Sequence, residues 1–268
     1  MSVSKHDLYE HCVQNTRASV SFLRAVHGAN PRVLGEDFAG TAALSHRWVE
    51  LTGGTAVAVD LDAETLAYRG THPSIEKLAA DVRAVTTPCD ALFVGNFSIG
   101  YFHARAELVG YLRCARSRLN PGGFFACDTY GGETAFLVGD VHREHPIAGG
   151  EPLPSLEAHA GKMVRYTWEQ READASTGMV TDVIHFRIEN GGRIEDEFED
   201  AFVYRWRLWS IPELRDAMLE AGFGAVEVYD KTCDARDEEG NVYVTPLADG
   251  RDLDDSFIVF VAARAGAP

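Results

Sequence analysis

Through the first half of the chain, short apolar runs alternate with segments whose apolar residues recur at helical spacing. Leu8, Cys12, Val20, Leu23 and Val26, with Phe22 beside them, predict one or two amphipathic helices over residues 7–27. Gly28-Ala29-Asn30-Pro31 ends them before a first strand at 32–34. An acidic pair, Glu36 and Asp37, and a small-residue turn, Ala39-Gly40-Thr41-Ala42-Ala43, lead into a helix at 43–51 that stops at Gly53-Gly54. Residues 55–59 form a second strand with Asp60 at its end, and 63–69 a helix. A third strand is expected at 75–80 and a fourth at 90–96. A helix at 104–119 carries Leu108, Tyr111, Leu112, Ala115 and Leu119 on one face. Asn120-Pro121-Gly122-Gly123 breaks that helix before a fifth strand at 124–127.

Strand and helix in alternation predict a parallel sheet with helices on both faces. The pattern then changes. Residues 133–160 are weakly periodic and read as loop, and three β-like segments follow at 162–172, 179–189 and 193–208. Asn190-Gly191-Gly192 between the last two is a strong hairpin signal. An antiparallel insertion here is expected to cap the C-terminal edge of the sheet, where ligands of α/β folds bind. Alternation resumes with Ser210-Ile211-Pro212-Glu213, a capping-box helix start, then a helix at 214–221, a strand at 225–229 and a final buried strand at 256–263. The expected architecture is therefore α/β. A single domain spans 1–268, with an N-terminal helical cap at 1–30, a core at 31–132, the loop and β cap at 133–209, and the rest of the core at 210–268.

Composition narrows the function. Forty-six per cent hydrophobic and 25% charged residues are ordinary for a globular protein. A net charge of −16, from 41 acidic and 25 basic residues, argues against nucleic acid or an anionic membrane surface as partner. It suits a cationic or amine substrate, or simply solubility. The N-terminus has no apolar signal region and no run is long enough to span a bilayer. Cys12, Cys89, Cys114, Cys127 and Cys233 are scattered without C-x-x-C spacing, which fits a reducing cytoplasm and neither a disulfide framework nor a zinc site.

The strand-turn-helix around Gly40, with an acidic residue about 20 positions later, is the placement expected for a nucleoside-like cofactor, its ribose hydroxyls on Asp60. Asp62 reads as the cap of the next helix. With AADV, DALFVGNFSIGYF, LNPGG and the terminal PELRDAMLEAGF and SFIVFVAARA, the pieces VLGEDFAGTAALS and AVAVDLD fall in a familiar order. The chain resembles the class I S-adenosylmethionine-dependent methyltransferases over 33–123 and 210–263. The resemblance implies a Rossmann-like, seven-stranded, mostly parallel sheet whose last strand alone is antiparallel. It implies S-adenosyl-L-methionine as cofactor. The family's acidic-x-G-x-G-x-G turn has Phe38 and Ala42 at its first and third glycine positions, a variant EDFAGTA form that leaves less freedom for positive φ and puts a bulkier residue near the cofactor.

By the same resemblance, Glu36 lies near the methionine end of the cofactor, and Phe38, Ala39 and Gly40 make the turn, with close backbone approach at Gly40. Asp60 holds the ribose and Leu61 meets the adenine. Asp81 accepts from the adenine amino group beside Val82, unless it is a turn former. Asn96 and Phe97 border the methionine moiety and substrate. A base assists a phenol or alcohol acceptor more than an amine. His103 is the candidate, against a solvated histidine at a helix start. Tyr101 and Tyr130 are candidates to orient substrate or to pack, and Asp128 to accept from an amine or to cap its turn. His142 and His145 form H-x-x-H with no third ligand evident, so no metal is expected. Tyr166, Trp168, Trp206 and Trp209 are candidates for a substrate wall or the cap's own core. The acidic run 195–200 reads as a solvated face or an amine-attracting mouth.

The reading is a methyltransferase acting on nitrogen or oxygen of a small molecule. Protein methylation, or a non-catalytic cofactor binder, is the alternative. Neither the N-P-P-[YF] turn of some adenine and glutamine methyltransferases nor the paired-glutamate loop of arginine methyltransferases is apparent. The N-terminal helices are candidates to close over the site or to pair two subunits as a homodimer.

Overall fold

Apolar strands with no polar alternation need cover on both faces, and the computed structural model shows how this chain supplies it. The structure describes residues 3–150, 153–230, 233–238, 242–248 and 253–266. In chain order the elements begin with α1 (Lys5–Cys12), α2 (Thr16–His27), β1 (Val33–Asp37), α3 (Ala43–Thr52), β2 (Thr55–Asp60), α4 (Ala63–Ala67) and β3 (Ile75–Ala79). Then come β4 (Cys89–Val94), α5 (Arg105–Ser117), β5 (Leu119–Gly132), β6 (Gly139–Pro146), α6 (Pro154–Glu157), β7 (Met163–Asp174), β8 (Met179–Asn190) and β9 (Arg193–Arg207). The chain ends with α7 (Ile211–Glu220), β10 (Phe223–Asp230), β11 (Ala235–Arg236), β12 (Val242–Tyr243) and β13 (Ser256–Ala265).

Two compact units result: Thr16–Ala135 with Leu208–Pro268, and Met1–Asn15 with Phe136–Arg207. The N-terminal helical segment is thus shared, α2 belonging to the first unit and α1 to the second.

The first unit is built on a seven-stranded sheet in the order β10-β13-β5-β4-β1-β2-β3. Strands β1 to β5 pair in parallel, and β13 runs antiparallel to both β5 and β10, as the resemblance implied. Alternate residues of each strand serve opposite faces. Val57, Val59, Leu92, Val94, Phe125 and Cys127 pack with Leu108 and Leu112 of α5 and Leu214 and Met218 of α7. Ala56, Ala58, Ala91, Phe93, Phe124 and Ala126 pack with Val20 and Leu23 of α2 and Leu44 and Trp48 of α3. The breaker Asn120-Pro121-Gly122-Gly123 is looped out of β5, since Cys89 pairs with Leu119 but Ala91 with Phe124. Asp90 ties the loop down, accepting from Asn120 Nδ2 at 2.7 Å and from the Arg32 and Val33 N–H groups at 2.7 and 2.9 Å.

The second unit holds an antiparallel sheet, β6-β7-β8-β9, inserted in the chain after β5. Val164, Tyr166, Ile184, Phe186 and Ile188 make its core with Leu8 of α1. The hairpin closes at Asn190↔Arg193 around Gly191 and Gly192, whose φ of 57° and 84° suit a primed turn. One expectation fails here. Residues 139–146 are a strand, paired from Gly139↔Gln170 to Pro146↔Met163, not loop. An edge strand needs only one neighbour's backbone, and its mostly exposed side chains leave no hydrophobic period to read. No helix among the described residues is long and apolar enough to cross a membrane.

Candidate functional site

The register sets Asp37 beside Val59 on β2 and Val94 on β4, so the three strands end at one level. There the strand order reverses about β1, the position at which open α/β sheets bind ligands. Phe38, Gly40 and Ala42 have φ of 57°, 53° and 62°. All three family glycine positions are therefore left-handed, including the two that carry side chains. Substituting them has not removed the positive φ, although each non-glycine costs on the order of 1–2 kcal/mol. Backbone bonds hold the turn: Ala39 N–H donates to Val59 O at 2.9 Å and Ala42 N–H to Ala39 O at 2.8 Å. Gly40 N–H donates to Asp60 Oδ2 at 2.7 Å. Four of the five non-glycine left-handed residues among those described, Phe38, Ala42, Asn96 and Phe97, lie at the exits of β1 and β4. Strain concentrated in this way marks functional sites.

The carboxylates are held in three ways. Asp60 also accepts from Asp62 N–H at 3.0 Å, and Asp62 caps α4 by accepting from Glu64 and Thr65 N–H. Glu36, buried, accepts from Ser45 N–H at 2.8 Å and Ser45 Oγ–H at 2.5 Å, which anchors it to the first turn of α3. Asp128, also buried, accepts from Asn96 N–H at 3.1 Å and Phe97 N–H at 2.7 Å, one on each oxygen. It fixes the left-handed pair that follows β4.

Leu61 stands 75% exposed next to Asp60, an apolar surface beside the carboxylate. Asp81 caps a 3₁₀ turn through Arg83 N–H at 2.8 Å and pairs with the Arg83 guanidinium, whose hydrogen bonds hold its carboxyl below the usual range. That is the turn-forming role; Val82 beside it is buried in the core. His103 is exposed between the 3₁₀ turn Ser98–Tyr101 and α5. Tyr101, 44% exposed, stacks on Phe38, and Tyr130 meets Phe97 edge-on at 4.9 Å.

Directly beneath the turn lies a network absent from the sequence reading. Arg118 Nη1 donates to both Asp37 oxygens at 2.9 Å, and Tyr111 Oη–H donates to Oδ2 at 2.8 Å, with the Asp37 and Arg118 side chains wholly buried. Burial pushes the Asp37 carboxyl up, while Arg118 and Tyr111 pull it back down. One signal did exist: Tyr111, Ala115 and Arg118 share the buried helical face at steps of four and three.

In the second unit, H-x-x-H falls on a strand, so His142 and His145 point to opposite faces. His142 Nδ1 lies 2.9 Å from Thr167 Oγ1, and His145 meets Tyr166 and His11 edge-on. Glu169, His185 and Asp200 bring possible ligand atoms within 4.8 Å of one another, but Arg171 bridges the two carboxylates at 2.7 and 2.8 Å and supplies the positive charge. Tyr166, Trp168 and Trp206 pack within this unit's sheet, whereas Trp209 is buried in the first unit, donating Nε1–H to Phe102 O.

Together the sheet order, the glycine-position turn and the acidic end of β2 define the Rossmann-like fold of class I S-adenosylmethionine-dependent methyltransferases. No protein-family model matches the chain, and no curated protein matches it. Solved structures do. The chain is similar to an S-adenosylmethionine-dependent methyltransferase from Clostridium acetobutylicum, at 14% identity over 98% of either chain with a TM-score of 0.66. It is similar to the sugar N-methyltransferase KedS8 from Streptoalloteichus, at 18% identity over 98% of this chain and 94% of that one, TM-score 0.63. A third is CalS10, an amino pentose methyltransferase from Micromonospora echinaspora with bound S-adenosylmethionine, at 15% identity over 97% and 95%, TM-score 0.63. At these identities the likeness is one of fold.

Proposed function

We propose that this chain is an S-adenosylmethionine-dependent methyltransferase acting on nitrogen or oxygen of a small molecule, with the EDFAGTA turn as a variant cofactor loop. The observation that carries the reading is the Gly40 N–H on the Asp60 carboxylate, where the strand order reverses. The residues suit the cofactor. Each carboxylate oxygen has two acceptor sites, so Asp60 retains capacity for ribose hydroxyls beyond the N–H groups of Gly40 and Asp62. Exposed Leu61 suits an adenine face. Around Gly40 nothing lies within 4 Å of where a Cβ would stand, which leaves room for close approach. Glu36, Phe38, Ala39, Asn96 and Phe97 complete the set. Asp81 and Val82 are its weaker members, because Arg83 engages the carboxylate and the core takes the valine.

When bound, S-adenosylmethionine supplies an electrophilic methyl group. The protein's share is alignment and proton handling. Asp128 positions the Asn96–Phe97 turn, His103 accepts a proton from a hydroxyl acceptor, and Tyr101 orients the reactants. The acidic balance, with the likeness to the sugar N-methyltransferase KedS8 and the amino pentose methyltransferase CalS10, supports a small, amine-bearing acceptor. The scattered cysteines support a cytoplasmic setting.

Calorimetry with S-adenosylmethionine and S-adenosylhomocysteine tests the reading, and binding of neither would overturn it. Asp60→Ala should weaken both by about 1–3 kcal/mol through lost charge-assisted hydrogen bonds. Tight binding with no turnover on any amine or phenol would identify a non-catalytic binder.

A further inference from the structure

Phe38, Tyr101 and Phe102, at the exits of β1 and β4, form a connected group of rings with Tyr111 of α5. Tyr111 is held by Asp37. Tyr111 stacks on Phe102 with centroids 4.6 Å apart and planes at 20°. Phe38 meets Phe102 edge-on at 5.8 Å and lies nearly parallel to Tyr101 at 5.7 Å and 20°. Tyr101 remains 44% exposed.

Phe38 reaches Tyr101 from a left-handed residue, at a position where glycine would avoid the backbone cost and leave the Tyr101 face without this partner. Packing against Phe102 and Tyr111 accounts for a partly buried aromatic there. It does not account for the half-exposed Tyr101 ring stacked on Phe38, which itself stands two residues before Gly40.

We infer that Phe38 and Tyr101 form a preorganised π surface that recognises the positive charge of a sulfonium, so that the site favours the charged methyl donor over its neutral thioether product. The inference rests on the cofactor reading above. An aromatic face attracts a cation through its quadrupole and offers a thioether no such term. Replacing Tyr101 by leucine changes no formal charge, so it isolates the ring from the carboxylates Glu36, Asp60 and Asp128.

The test is titration calorimetry of the full chain with S-adenosylmethionine and S-adenosylhomocysteine, for wild type, Tyr101→Phe, Tyr101→Leu and Phe38→Leu. Tyr101→Leu and Phe38→Leu should weaken S-adenosylmethionine about three- to tenfold relative to S-adenosylhomocysteine. Tyr101→Phe should keep the wild-type ratio. Retained S-adenosylhomocysteine affinity shows that each variant is folded. Equal weakening of both ligands by Tyr101→Leu would place the ring on the shared nucleoside and overturn the inference, as would an unchanged ratio. Wild type that binds neither ligand overturns the cofactor reading itself.

Discussion

Arg118 is buried completely, and its role is decided by Asp37 alongside it. Two charges withdrawn from water are tolerated only when each satisfies the other, and removing one leaves the second uncompensated. Arg118→Met should therefore cost about 3–5 kcal/mol, read from the denaturant midpoint. A loss under about 1 kcal/mol would show the pair to be dispensable. His103 belongs to the same scale but makes the opposite prediction. It is exposed, so His103→Ala should leave stability within about 0.5 kcal/mol of wild type. With a hydroxyl acceptor, the substitution should lower the rate and flatten its rise with pH on the acid side of the pH–rate profile; an unaltered profile removes His103 as base. Sequence and structure part company at Asp37. Its place in an acidic pair was plain from the chain, but a partner 81 positions away is not.

Among the elements, α7 was the most legible. Ser210 N–H and Oγ–H meet Glu213 Oε2 at 3.0 and 2.8 Å, the reciprocal box that four consecutive residues announced. Ser210→Ala should cost about 1 kcal/mol in thermal or chemical unfolding. Strand β6 was the least legible. Its pairing is supplied by β7, and no property of Gly139–Pro146 taken alone shows that the neighbour is there. The acidic run of β9 shows a milder version of the same limit. Glu195 pairs with Lys162, Glu197 with Arg187 and Asp200 with Arg171, so this charged face is laced across strands. Exposed pairs of this kind contribute about 0–1 kcal/mol each.

For the whole molecule, acid sensitivity follows from two histidines. Burial holds the His145 and His27 imidazoles below the ordinary 6.5; His11 and Arg143 add to the effect at His145, while Asp90 opposes it at His27. Below 6.5 the unfolded chain then binds more protons than the folded one, so stability rises with pH in that window and is lost as pH falls through it. Unfolding by denaturant should show lower stability at about pH 5.5 than at about pH 7.5, and His145→Gln should narrow the gap. Carboxylates held low, such as Glu189 beside Arg165, add their losses only below their ordinary value of 4.5, outside this window.

The chain by itself determined what depends on neighbours in sequence. Strand and helix periods, the capping box, the Asn190-Gly191-Gly192 hairpin and the 20-residue step from Gly40 to Asp60 all arise from local backbone preference and burial pattern. Only tertiary structure decided the rest. It kept Phe38 and Ala42 left-handed without glycine and turned Asp128 onto the Asn96–Phe97 backbone. It also joined Asp37 to Arg118 and Tyr111 beneath the turn. Each of these states is unfavourable to the residue alone and is stabilised by groups that meet it only in the folded chain.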